Sequence, residues 1–176
     1  SLAGARLAGC DLHGAHLAGV PMTGTRFSAT TLAGATGLTR VQVLSTAHSW
    51  PSVNWSGTGV DLSGVDFAEF DLDSVDLSGL DLHGASFVGA TDATAVKLVG
   101  ANVAGATFAG ADLNSADFSG ATVTGADLTG ARLVGTRWVG PIGLTWSQLS
   151  ASANDWYAIV LRGSGLDLTG RDLSTR

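Results

Sequence analysis

The chain has 176 residues, 45% hydrophobic and only 14% charged, with 25 glycines, a single cysteine and a formal charge of −6. That balance disfavours nonspecific nucleic-acid binding through a basic surface and leaves no intrachain disulfide framework. Asp, Gly, Ser or Thr punctuates every apolar run, so nothing approaches the roughly 20 residues of a membrane span. No basic segment followed by an apolar one opens the chain, no signal peptide is visible, and a soluble, cytoplasmic protein is expected.

Residues 1–35 carry a large apolar side chain every five residues, at Leu2, Leu7, Leu12, Leu17, Met22, Phe27 and Leu32. A period of five fits neither a helix nor a flat strand. One large and one small residue can point the same way in every unit only if the chain turns a corner once per unit. That describes a solenoid of short extended segments around stacked apolar side chains. Pro21 falls at an outward position, where a missing amide donor costs least. Ser1 begins inside a repeat with no polar cap before Leu2. This predicts a segment of a longer protein, or an end covered by a partner or by self-association.

From 36 to 59 the period is lost. Thr39 and Gln42 form a capping box, predicting a short helix over about 39–47, followed by a loop from His48 to Trp55. The period resumes over 60–140. Asp92 falls in an expected apolar slot, the worst place for a carboxylate, and the next good centre is Leu98. One extra residue therefore sits between Thr91 and Lys97, as a bulge or small loop. From Leu98 to Trp138 the units run without a break. Then 141–165 repeats the first interruption: GLTWSQLSASANDW from Gly143 aligns without gaps on GLTRVQVLSTAHSW from Gly37, and Thr145 with Gln148 predicts a second helix over about 145–153. A last block, 166–176, has centres at Leu168 and Leu173, and Leu2 would follow Leu173 in register if Ser1 came after Arg176. The whole reads as one domain, 1–176.

ADLTG, from Ala126 to Gly130, is the unit in its plainest form. The chain resembles the pentapeptide-repeat proteins, whose unit is Ala-(Asp/Asn)-Leu-X-X. That resemblance implies an all-β solenoid, a right-handed quadrilateral β-helix with four units per coil, here interrupted by two short α-helices. The central residue and the Ala two before it would face inward and the other three outward. Centres one coil apart would then stack, placing Phe67, Phe87 and Phe108 in one column with Leu128 above.

Asp61, Asp66, Asp71, Asp76 and Asp81 each precede a centre; with Glu69, Asp73 and Asp92 they give residues 61–92 a charge of −8 and leave the remainder at +2. Three readings compete. Asp here can serve the turns by bonding to backbone; the band can be an acidic docking surface for a basic partner; or Asp71 and Asp73 can hold a cation, although no EF-hand spacing accompanies them. All five tryptophans lie in or beside the interruptions. Trp50, Trp55, Trp138, Trp146, Trp156 and Tyr157 either staple the helices to the solenoid or form a recognition patch, for which Trp50, Trp55, Trp146, Trp156 and Tyr157 are the candidates. The solenoid scatters Cys10, His13 and His16 over inward and outward positions, so no metal is expected. Neither a cofactor motif nor a nucleophile–base arrangement is present.

A repeat solenoid offers long rigid surfaces. The expected function is a non-catalytic protein-interaction or structural scaffold with a protein partner, without direct nucleic-acid or membrane binding, and not an enzyme. Two alternatives stay open. The resemblance implies a DNA-mimicking binder of a type II topoisomerase such as DNA gyrase, conferring resistance to quinolones or other inhibitors. A small-molecule or enzymatic site beside the helix and Trp insertions would need His48 or Asp155 as acid or base.

Overall fold

Backbone bridges set the coil at twenty residues. In the computed structural model, which describes residues 1–153, 158–163, 165 and 166, parallel bridges join Asp11 to Thr31, Asp61 to Asp81 and Lys97 to Asp117. Twenty residues in units of five make four walls per coil. Each wall is extended for only a residue or two before the next corner, so few segments qualify as strands. They are β1 (Arg6–Ala8) paired with β2 (Arg26–Ser28), and β3 (Arg137–Val139) paired with β4 (Val160–Arg162), both parallel. The ladder is nonetheless continuous. The amide of each centre donates to the next coil, as Leu62 does to the Asp81 carbonyl at 2.8 Å and Val103 to that of Thr122 at 2.9 Å. The small residue three positions on closes the corner back onto the centre's carbonyl, as Ala106 does onto Val103 at 3.1 Å.

Centres and small residues fill the interior. The rings of Phe67 and Phe87 stack at 4.9 Å and those of Phe87 and Phe108 at 4.7 Å, with buried Leu128 following in the same column. On the opposite wall Phe118 and Trp138 stack at 4.2 Å, and an edge contact between Phe108 and Phe118 joins the two columns across the interior. Burial stabilises by roughly 1.5–3 kcal/mol per large side chain, so such a column outweighs the short ladder beside it.

Asp92 does not occupy an apolar slot. The Leu72 amide donates to the Asp92 carbonyl, the bond a centre makes to the outward residue before the next coil's centre. Asp92 is exposed, Ala93 takes the buried centre, and the extra residue is Thr91. The coil lengthens to 21 residues there, with Asp81 bridging Asn102. The ladder tolerates an added residue at a turn more readily than a carboxylate inside the column.

The two helices, α1 (Arg40–Leu44) and α2 (Trp146–Ala151), are shorter than expected. Both capping boxes are formed, with Thr39 against Gln42 and Thr145 against Gln148. The glutamines have a further duty. In a regular coil the carbonyl of the small residue accepts an amide from the coil above, as Ala106 does from Asp127. Each helix displaces that strand, and the glutamine side chain supplies the missing donor: Gln42 Nε2 bonds the Val20 carbonyl at 2.9 Å and Gln148 Nε2 that of Ala126 at 2.9 Å. Val43 and Leu149 fill the vacated interior. Gly37 and Gly143, at φ +76° and +79°, enter the helices so close to Ala18 and Thr124 below that a Cβ would lie 2.7 Å and 2.1 Å from them.

The segment after α1 is coil rather than loop. The Trp50 amide donates to Asp71 and the Trp55 amide to Asp76, so both tryptophans are ordinary centres, five residues apart and wholly buried. This corrects the reading of Trp50 and Trp55 as members of a surface patch: the interior slot takes the largest apolar ring available. Trp146 is half-buried on α2, whereas Trp156 and Tyr157 lie outside the described residues.

Trp138 Nε1 donates to Thr136 Oγ1 at 2.9 Å, and that hydroxyl donates to the Leu133 carbonyl. Trp55 Nε1 is buried without a partner, because the residue two before it is Val53. Val53→Thr should supply the missing acceptor while its hydroxyl bonds the Trp50 carbonyl. The expected gain is about 1 kcal/mol, raising the thermal midpoint by roughly 2–4 °C; an unchanged or lower midpoint in a melting experiment would refute the assignment.

Candidate functional site: the charged walls

Among the described residues there is no interior cleft, and the site is assembled from the outward rows. On each wall the residue preceding the centre aligns with its equivalents in the coils above and below. Asp61, Asp66, Asp71, Asp76 and Asp81 all do the same local work there. Each accepts a hydrogen bond at Oδ1 from the amide two residues on, at 2.8, 3.1, 3.3, 3.0 and 3.2 Å. Asn54 and Asn102 make the same bond. The turn therefore uses a side-chain oxygen where one is present at this position, but it needs neither the charge nor, at Arg6, Arg26, Lys97, Arg132 and Arg137, the oxygen itself.

Five-residue spacing sends successive acids to different walls. Asp71 and Asp73 lie on the first wall, below Asp92; Asp76 lies on the second, Asp61 and Asp81 on the third, and Asp66 and Glu69 on the fourth. The expected acidic docking surface is thus a girdle around the solenoid. Residues twenty apart share a wall, and that spacing is the sequence signal for a common face. Only Asp61 and Asp81 of the girdle bridge each other directly.

The oxygens of Asp71 and Asp73 are already engaged by the adjacent coils. Ser49 Oγ donates to Asp71 Oδ2 at 3.2 Å, and Thr94 Oγ1 donates to Asp73 Oδ1. Among the described residues no three His, Cys, Asp or Glu side chains converge as metal ligands. Cys10 leans on the Ala8 carbonyl and His16 meets Thr36 on another wall. His48 stacks on Phe70 at 4.2 Å; Asp155 lies outside the described residues.

Three basic residues beyond the girdle sit one coil above an acid. Lys97 approaches Asp76 at 3.9 Å, Arg132 meets Asp112 at 3.0 Å, and Arg137 approaches Asp117 at 3.8 Å. Such exposed pairs stabilise little, about 0–1 kcal/mol each, but they cancel charge locally. Arg6 and Arg26 differ. They bridge each other in register on the first wall, and neither is in ion-pair contact with a carboxylate among the described residues.

The turn bonds also set proton affinity. The Ser63 amide holds the Asp61 carboxyl below the usual range, the His83 side chain does so for Asp81, and the Thr129 hydroxyl for Asp127. A carboxyl lowered in the folded state contributes stability that is present above its unfolded value, about pH 4, and is lost as pH falls through the folded one. Melting midpoints should therefore hold steady down to about pH 4 and decline below it. Asp127→Ala should flatten that acid limb; a limb as steep as in the parent chain would show that the carboxylate does not contribute.

These features define a class: a four-walled parallel solenoid with an apolar interior and patterned polar walls. The family model for pentapeptide repeats matches in eight copies, over residues 1–36, 58–91 and 94–137, and the chain belongs to the pentapeptide-repeat family, whose fold is a right-handed β-helix. Similar solved structures include a pentapeptide repeat protein of the Arabidopsis thaliana thylakoid lumen, 32% identical over 64% of this chain and 67% of that one, with a TM-score of 0.40. They include QnrB1, a plasmid-mediated fluoroquinolone resistance protein, 16% identical over 92% and 89% with a TM-score of 0.36. HetL of the cyanobacterium Nostoc, involved in heterocyst differentiation regulation, is 18% identical over 99% and 90% with a TM-score of 0.32. No curated protein sequence matches the chain. Among the described residues no helix is long and apolar enough to cross a membrane.

Proposed function

We propose that the protein is a non-catalytic interaction scaffold that binds a protein partner through its walls, in the cytoplasmic setting expected from its sequence. One observation carries this reading: outward side chains are held at fixed orientation on a repeating grid. Each Asp or Asn is fixed by its own turn, rows repeat about every 4.8 Å along the ladder, and their charge varies from coil to coil although the turn does not require it. A surface whose geometry is constant and whose chemistry is free to vary suits recognition. The combined substitution Asp61→Asn, Asp66→Asn, Asp76→Asn and Asp81→Asn preserves every turn acceptor, as Asn54 and Asn102 show, and removes four charges. A partner bound through the girdle should be retained by the parent chain in affinity capture and lost by the folded Asn variant. Equal retention by both would sink the acidic-girdle reading.

A second reading, a duplex mimic acting on a type II topoisomerase, is favoured by the −8 carried by residues 61–92 on all four walls. On that reading the protein inhibits or protects gyrase supercoiling at micromolar concentration and the fourfold Asn variant does not. An inactive parent chain, or a variant as active as the parent, overturns it.

A further inference from the structure

The two helices occupy the same wall. Gly24 and Gly130, two residues after the fourth-wall centres Met22 and Leu128, donate their amides to Ser45 at the end of α1 and Ala151 at the end of α2, at 2.8 Å each. α1 precedes Ser49 as Asp66 precedes Asp71, and Ser49 bridges Asp71, so α1 lies one coil below Asp66. Between the helices the wall keeps its flat form for four coils, with the outward row Asp66, Ser86, Thr107 and Asp127. Five steps of the ladder separate the helix levels, about 24 Å. With Val43 and Leu149 in the core, the helices stand out from the strands beside them, and Val41, on the far side of α1 from Val43, is 79% exposed. A helix is about 10–12 Å across, which leaves a recess about 12–14 Å wide between the two.

The floor of the recess is small and apolar, and its edges are acidic. Val88 is 47% exposed at the centre, beside half-buried Ala109, and Gly89 and Gly110 leave room for close approach. Asp66 and Glu69 lie at the α1 edge and Asp127 at the α2 edge; all three are exposed, and none is in ion-pair contact among the described residues. These four coils present no Lys or Arg on this wall; the one cation on either helix is Arg40, which opens α1 on the third-wall side. Gln42 is turned to the coil below, where it bonds the Leu17 and Val20 carbonyls, so Leu44, on the opposite side of α1, flanks the recess with an apolar edge. We propose that this recess holds a partner α-helix, lying across the solenoid between α1 and α2, with an apolar stripe flanked on both sides by Lys or Arg. The stripe meets Val88 and Ala109, and the basic flanks meet Asp66 and Glu69 on one side and Asp127 on the other. An extended peptide finds no edge to join, because the wall's own ladder is spent: Phe87 donates to Thr107 and Phe108 to Asp127. A helix satisfies its own backbone and needs only side-chain contacts. A second copy of this chain would bring the same three acids with one arginine on its helices, and so lacks the charge the recess calls for.

The contact is short. A wall is about 10 Å across, so it covers about two turns of the partner helix, and the binding is weak and sensitive to salt. The inference rests on reading the walls as binding surfaces and gives one of them its occupant.

Fluorescence anisotropy with the full chain and a labelled synthetic peptide tests it. The probe is a helix of about 18 residues, long enough to form alone, built from Ala, Leu and Lys with Leu on one face and Lys on both flanks; its control has Glu for Lys. The parent should bind the Lys peptide at low ionic strength, release it at high salt and ignore the Glu peptide. Ala109→Arg sets a long cation on the floor of the recess and should weaken binding at least about tenfold, by filling it and by like-charge contact. Ala104→Arg makes the same change on the third wall of the same coil and should leave affinity within about threefold, since a remote exposed charge is screened. Both positions face outward, where other coils carry Asp73 and His83, so the fold accepts either change, and a melting scan of each variant checks it. Equal weakening by both variants, or by neither, shows capture by overall charge and overturns the recess while the acidic-girdle reading stands. A Glu peptide that binds as well, or a Lys peptide that does not bind at millimolar concentration and low salt, overturns it too.

Discussion

Everything in this molecule depends on each coil meeting the next at matching heights. An amide on one coil must find a carbonyl on its neighbour, and a large apolar side chain must land above another. Five residues per wall achieve both at once, so the unit length is enforced by hydrogen bonds and by packing together. Departures are confined to places where the ladder can re-form. The offset between bridged residues is 20 from Asp61 to Asp81, 21 from Asp81 to Asn102, 22 from Asn54 to Asp76 and 23 from Thr31 to Asn54, yet the pairing on either side is unchanged. Surplus chain goes into turns and helices, and the register survives.

The helices show what that constraint demands. Removing one strand from a wall leaves carbonyls of the coil below without donors, and a buried carbonyl left bare costs about 1–3 kcal/mol. Gln42 and Gln148 supply the donors from side chains while also closing their capping boxes. One residue thereby starts the helix and docks it. Val43 and Leu149 keep the interior filled, so each insertion replaces a wall segment without opening the core.

Because the interior and the turns set most positions, little is left free. The residue before each centre can present an oxygen to the turn, as Asp, Asn or Thr does, or a basic side chain, as at Lys97 and Arg132. The choice among them sets charge at little structural cost. Charge is therefore the variable that distinguishes one coil from another: arginines without an ion pair among the described residues at the first two, acids in the middle, and compensated pairs above.

Much of this was legible in the sequence. The period of five fixed the inward and outward positions, twenty-residue spacing placed Phe67, Phe87 and Phe108 in one column, and the Thr–Gln pairs marked both helices. Those features follow from local geometry repeated without change. What the sequence left undecided lies where the count is interrupted. Trp50 and Trp55 keep a spacing of five, but their register to the coils around them depends on how many residues α1 consumes. Asp92 is core or surface according to whether the extra residue falls before or after it. Gln42 reads as a cap, and its bond to Val20 exists only once the coil below is in place. The first wall's outward row was hidden for the same reason, since Ser49 and Asp71 join Arg6 and Arg26, and Asp92, Asp112 and Arg132 follow, only after an insertion and a bulge are counted. Repetition makes neighbours predictable by arithmetic; wherever chain is added, only the three-dimensional ladder decides which residues meet.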